Sequence, residues 1–142
     1  MKKLLEIFPI EMPSEGVVAT VSGLVQAGFP SPAEDYMETP LNLHELVVKN
    51  PPATFFVRVA GDSMLGARIE PGDILVVDRS LTPTSGKIVV ALVNGEFTVK
   101  RIRMEGGKVI LMAENQAFKD IEVPSGAEFE VWGVVTYVVH KA

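Results

Sequence analysis

Ile88-Val89-Val90-Ala91-Leu92-Val93-Asn94-Gly95-Glu96-Phe97-Thr98-Val99-Lys100-Arg101 sets two runs rich in β-branched and aromatic residues on either side of an Asn-Gly pair. Such runs favour strands, and a two-residue type I′ turn needs positive φ at both central positions, which Asn-Gly supplies. The stretch predicts a tight hairpin whose register can be counted outward from the turn. Val93 faces Glu96, Leu92 faces Phe97, Ala91 faces Thr98, Val90 faces Val99 and Val89 faces Lys100. Because side chains alternate along a strand, Lys100 shares a mostly apolar face with Thr98, Ile102, Val89 and Ala91. Arg101 points the other way with Phe97 and Val99.

The same grammar extends through the rest of the C-terminal two thirds. Thr54 to Ala60, Ile74 to Asp78, Glu96 to Arg103, Val109 to Ala113 and Glu128 to Val139 read as short strands. Pro71-Gly72-Asp73, Ser85-Gly86, Gly106-Gly107 and Pro124-Ser125-Gly126 punctuate them. With no long segment of helical period, the expected class is all-β: one compact domain of short, mostly antiparallel strands with at most minor helix. Along Val131 to Val139, strict alternation puts Val131, Gly133, Val135 and Tyr137 on one face and Trp132, Val134 and Val138 on the other. Neither face is polar, so this strand is expected to be a central core strand or to meet a partner. Seven of the ten prolines fall within the first 52 positions, each fixing its own φ and biasing its predecessor toward extended backbone. The expected division is an extended N-terminal arm over residues 1–40 and a β-rich domain over residues 41–142.

Composition narrows the chemistry. The 142 residues are 47% hydrophobic and 22% charged, enough for one domain with a core of its own. Cysteine is absent, which removes disulfides, thiol nucleophiles and thiolate metal sites, and two histidines are too few for a convincing zinc site. No metal or cofactor is expected. A net charge of −5 lacks the basic field that releases counterions from a phosphate backbone, so direct nucleic-acid binding is not expected. The apolar run from Val131 to Val139 is far short of the roughly 20 residues of a membrane helix. At the N-terminus Glu6, Pro9 and Glu11 interrupt what begins like a signal peptide. A soluble, cytoplasmic protein is the expectation.

Ser63, in Gly61-Asp62-Ser63-Met64, follows a strand-like run and sits in a glycine turn. A serine hydroxyl is a weak nucleophile until a neighbouring base takes its proton. Neither His44 nor His140 has a neighbourhood that recommends it, which leaves a lysine. A free lysine, with a pKa of about 10.4, is protonated near neutrality. Burial can bring it down to roughly 7 to 8, the range that suits a general base. Lys100, on the apolar face of the hairpin, is the candidate. Gly61 would let another backbone approach closely, and backbone N–H groups of Asp62 and Ser63 would meet a developing oxyanion. Each feature also has a plain structural reading: a lysine reaching solvent from a strand, and a Gly-Asp-Ser turn capped by its own side chains.

Taken in order, Gly28-Phe29-Pro30-Ser31-Pro32-Ala33-Glu34-Asp35-Tyr36, Ala53-Thr54-Phe55-Phe56-Val57, Gly61-Asp62-Ser63-Met64, Gly72-Asp73-Ile74-Leu75-Val76-Val77-Asp78, Gly95-Glu96-Phe97-Thr98-Val99-Lys100-Arg101 and Trp132-Gly133-Val134-Val135 resemble the LexA/UmuD family of self-cleaving serine peptidases over nearly the whole chain. The resemblance implies Ser63 as nucleophile, Lys100 as general base and the Ala27–Gly28 bond as the one that is cut. The spacing agrees with the family: 36 positions from Ala27 to Ser63 and 37 from Ser63 to Lys100. One departure is Ala27 itself, where the best-known mutagenesis member has cysteine and the repressors have Ala-Gly. A small side chain is kept, while thiol crosslinking at the arm is lost.

Within the family the resemblance is to the UmuD-type mutagenesis branch, since 27 residues ahead of the cut are too few for a repressor's helix-turn-helix domain. It implies a homodimer that cuts itself when a RecA filament on single-stranded DNA favours the cleavable form, the arm folding back within the chain or across the dimer. The shortened form would join a Y-family DNA polymerase of the UmuC type as its accessory subunit in error-prone translesion synthesis. The rival expectation is a noncatalytic dimeric interaction module that regulates a DNA polymerase, with Ser63 and Lys100 present but misaligned or Lys100 left charged.

Overall fold

The computed structural model describes residues 5–10, 17–21 and 37–142. Two compact units emerge: one spans Asn50–Ala142 and takes in the segment ending at Ile10, the other is Glu11–Lys49. The larger unit is an eight-stranded antiparallel sheet. Its strands are β1 (Leu5–Pro9), β4 (Thr54–Val59), β5 (Ile74–Asp78), β6 (Ile88–Val93), β7 (Glu96–Glu105), β8 (Lys108–Met112), β9 (Ile121–Glu122) and β10 (Phe129–Val139). They lie in the order β1-β4-β5-β10-β6-β7-β8-β9. The smaller unit pairs β2 (Val17–Val21) with β3 (Met37–Asn42) and carries a five-residue helix, α1 (Leu43–Val47), whose Glu45 N–H donates to the Asn42 side chain. The all-β class expected from the sequence is what the chain adopts.

The hairpin of β6 and β7 pairs in the counted register, Val89 opposite Lys100 and Val93 opposite Glu96. Asn94 and Gly95 take φ of 48° and 82°, the two positive values the turn requires. Alternation then buries both faces of β6. Val90 joins Val57, Leu75, Val77 and Val99 in one cluster, while Val89 and Ala91 join Ile102, Leu111 and Val134 in another. Lys100, with the parity of Ile102, is thereby set into the interior of the sheet.

Besides β2, β3 and β9, which the sequence reading assigned no strand, two regions depart from it. Leu5–Pro9, left without an assigned strand, pairs antiparallel with β4 as the sheet's edge, where a proline's missing N–H costs no ladder bond. In β10, strict alternation fails because the register shifts once between Val131 and Gly133 against β6 and once between Val135 and Tyr137 against β5. Each bulge adds a residue and flips the parity. Val131 and Val134 consequently share one cluster, and Trp132 and Val135 pack on the other. Only the first part of the strand is core. Tyr137, Val138 and Val139 are exposed.

Candidate active site

β4 delivers the chain to Gly61, whose φ of +87° is left-handed backbone that L side chains rarely adopt. A Cβ there would meet nothing within 4 Å, so the glycine serves the turn and not the close approach expected of it. That approach occurs three residues after Ser63. A Cβ on Gly66 would lie 2.6 Å from the Glu114 carbonyl oxygen, and the Gly66 N–H donates to that same oxygen. The turn containing Ser63 closes with Leu65 N–H donating to Asp62 O at 3.3 Å. It continues into a short 3₁₀ turn over Leu65–Ala67.

The segment after β8 holds this turn from outside. Glu114 N–H donates to Ser63 O at 2.9 Å, and Asn115 Nδ2 donates to Asp62 O at 2.8 Å. With the carbonyls so occupied, the N–H groups of Asp62, Ser63 and Met64 enter no backbone hydrogen bond among the described residues.

Ser63 and Lys100, proposed from opposite ends of the sequence reading, are brought together. Lys100 Nζ lies 3.0 Å from Ser63 Oγ, 2.9 Å from Thr98 Oγ1 and 3.1 Å from the Val99 carbonyl oxygen. The residue is 7% exposed, and no carboxylate forms an ion pair with it among the described residues. Burial therefore lowers the Lys100 pKa from its ordinary value. A neutral amine has two N–H donors and one lone pair. Thr98 Oγ1 and Val99 O can take the two donors, which leaves the lone pair facing the Ser63 hydroxyl.

A cleft of about 210 Å³ opens over the pair, lined by Val59, Met64 and Phe118 beside Gly61, Asp62 and Thr98. Thr98 was legible in principle, since a residue two positions before Lys100 on a strand must share its face. Glu114, Asn115 and Phe118 carried no such local signal. Ala27 and Gly28 lie outside the described residues. His140 is engaged elsewhere, its Nδ1 2.7 Å from Asp73 Oδ1 and its Nε2 3.5 Å from Glu70 Oε2. These three side chains form the one group of metal-ligand type among the described residues, and both imidazole nitrogens are turned to carboxylates as in an ion pair.

The chain is similar to known proteins over most of its length. The Peptidase S24-like family profile matches residues 19–136. Protein MucA of Salmonella typhimurium is 50% identical over 114 residues, covering 80% of this chain and 77% of MucA. Protein SamA of Salmonella typhimurium strain LT2 is 40% identical over 138 residues, 97% of this chain and 96% of SamA. The LexA repressor of Frankia casuarinae is 37% identical over 128 residues, 90% of this chain but 48% of the repressor. The chain belongs to the Peptidase S24-like family, as a UmuD-like member of its LexA/UmuD group.

Proposed function

We propose that this chain is an SOS-response protein that cuts its own Ala27–Gly28 bond, with Ser63 as nucleophile and Lys100 as general base. The observation that carries the reading is the 3.0 Å contact between Ser63 Oγ and a buried lysine that has no carboxylate partner among the described residues. Neutral Lys100 takes the hydroxyl proton as Oγ attacks the Ala27 carbonyl carbon. The oxyanion that forms is met by the unengaged N–H groups around Asp62 and Ser63. As the carbon–nitrogen bond breaks, Lys100 returns the proton to the Gly28 amine, which becomes the new N-terminus of residues 28–142, while residues 1–27 stay esterified through Ala27 to Ser63 Oγ. Water, deprotonated by the same lysine, then hydrolyses the acyl ester on Ser63.

A RecA filament on single-stranded DNA raises the rate by favouring the cleavable conformation. The shortened chain, as a homodimer, serves a UmuC-type Y-family polymerase as accessory subunit in translesion synthesis. The likeness to MucA and to a LexA repressor supports this placement. The exposed apolar end of β10, Tyr137 to Val139, supports a subunit contact.

The test is to incubate the purified chain across a pH series, with and without RecA, ATP and single-stranded DNA, and to weigh the fragments. A cut after Ala27 is expected, accelerating below the ordinary lysine range as Lys100 loses its proton, and absent in Ser63→Ala and Lys100→Ala. A chain intact under every condition rejects the peptidase reading in favour of the noncatalytic module.

A further inference from the structure

Arg101 follows Lys100 on β7 and so points to the opposite side of the strand. Its Nε donates to Glu114 Oε1 in an ion pair, and its Nη1 donates to the Gly86 carbonyl at 2.6 Å. Both partners of the pair are about two thirds covered, at 31% and 33% side-chain exposure. Glu114 lies two residues beyond Met112, the β8 residue paired with Arg101. Here the chain has left the β7–β8 ladder, and the side-chain pair extends the attachment where backbone pairing has ended.

Glu114 is also the residue whose backbone grips the serine turn at two points, Ser63 and Gly66. Its N–H reaches Ser63 O, and its carbonyl accepts from Gly66 N–H at 2.6 Å. A closed circuit results. From Lys100 it passes along the backbone to Arg101, across the ion pair to Glu114, through two backbone hydrogen bonds to the Ser63 turn, and back through Oγ to Lys100 Nζ. The Arg101–Glu114 pair adds a side-chain link to the backbone pairing of Arg101 with Met112 two residues earlier, and Met64 of the serine turn packs in one cluster with Val99 of the lysine strand.

We infer that Glu114, held by Arg101, is a positioning residue that fixes the distance between Ser63 Oγ and Lys100 Nζ. The inference rests on the self-cleavage reading and adds to it a residue that touches no reacting atom. A shift of about 1 Å between reacting groups costs on the order of a hundredfold in rate. Loss of the strut is expected to act through such a shift, while the burial that sets the Lys100 proton affinity stays as it is.

The experiment compares the full chain with Glu114→Ala, Glu114→Gln and Arg101→Lys, each first shown to be folded at the assay temperature. Self-cleavage is followed across a pH series, and amide hydrogen exchange at Glu114 and Gly66 is measured in the same variants carrying Ser63→Ala. Glu114→Ala should lower the alkaline plateau by about ten- to a hundredfold with the pH midpoint unmoved. Exchange at both amides should quicken. Glu114→Gln, which keeps the acceptor, should recover most of the rate, and Arg101→Lys should fall between. A wild-type plateau in Glu114→Ala overturns the inference, as does a midpoint that moves while the plateau holds, for Glu114 would then act on the lysine's charge. If the wild-type chain itself never cuts, the self-cleavage reading fails, and the exchange rates alone decide the strut: unchanged exchange in Glu114→Ala overturns it, faster exchange upholds it.

Discussion

Replacing Lys100 by methionine should make the protein more stable at neutral pH, although it removes three hydrogen bonds. Lys100 is 7% exposed and among the described residues its Nζ has only neutral partners: Ser63 Oγ, Thr98 Oγ1 and the Val99 carbonyl. Taking an ammonium out of water costs several kcal/mol, and hydrogen bonds to neutral acceptors return part of it. That burial lowers the Lys100 pKa means that the penalty exceeds the return. Methionine fills a similar volume without the charge, and the freed hydroxyls of Ser63 and Thr98 border a cleft that admits water. The net gain expected near pH 7 is about 1–3 kcal/mol. Since the folded-state pKa lies below the unfolded value, the unfolded chain holds the proton over a range where the folded chain has released it, and wild-type stability climbs with pH across that range. The advantage of Lys100→Met is therefore full below the folded pKa and vanishes as pH approaches about 10.5, where both states are neutral. Urea denaturation from pH 6 to 10.5, with Ser63→Ala in both proteins to keep the chain whole, measures the difference. A Lys100→Met protein less stable at neutral pH, or a difference that ignores pH, would refute the buried-charge account.

His140 should show the opposite dependence. Its pKa is raised by the hydrogen bond and charge of Asp73, against an opposing effect of desolvation, with a lesser upward contribution from Glu70. His140→Ala should cost most below about pH 6.5, and the cost should fade as pH rises through the folded-state pKa. Denaturation midpoints of the two proteins between pH 5 and 8 test this, and a constant gap contradicts it. Gly66→Ala places a Cβ 2.6 Å from a backbone oxygen that has little room to yield, and should cost about 1–3 kcal/mol. Because the displaced atom belongs to Glu114, self-cleavage should fall more steeply than stability; an unchanged urea midpoint would show that the turn relaxes freely.

What could be read from the sequence was what local rules determine. The β6–β7 register follows from one dipeptide, because a type I′ turn leaves no freedom in pairing. With the register fixed, the parity of Lys100 follows, and with parity its burial against Val89. β10 escaped the same reasoning because its two bulges have no marked residue preference. Gly133 hints at the first, as a Cβ there would lie 2.5 Å from Val77 Cγ1, but a strand glycine has several readings. The meeting of Ser63 with Lys100 was expected from family likeness and not from any rule of pairing. Nothing in Glu114-Asn115 announces a clamp, since its partners lie roughly 50 residues earlier, Glu114 contacts them through backbone atoms that every residue possesses, and the Asn115 side chain meets a backbone carbonyl that no sequence pattern marks.

The same distribution explains where stability is given up. Along β7, Val99 and Ile102 bury apolar side chains, and Lys100 stands between them at a position where an aliphatic residue would pack without cost. Folding tolerates one misplaced charge because the hairpin is specified by its turn and by both faces of β6, independently of what occupies position 100. A charge kept at the expense of stability, 3.0 Å from a serine hydroxyl, is a local conflict that the fold alone does not require. It is intelligible if the lysine must lose its proton within reach of a hydroxyl. The sign of the Lys100→Met stability change therefore bears on function as well as on folding: a stabilised variant that cannot cut would show that position 100 is set by chemistry and not by packing.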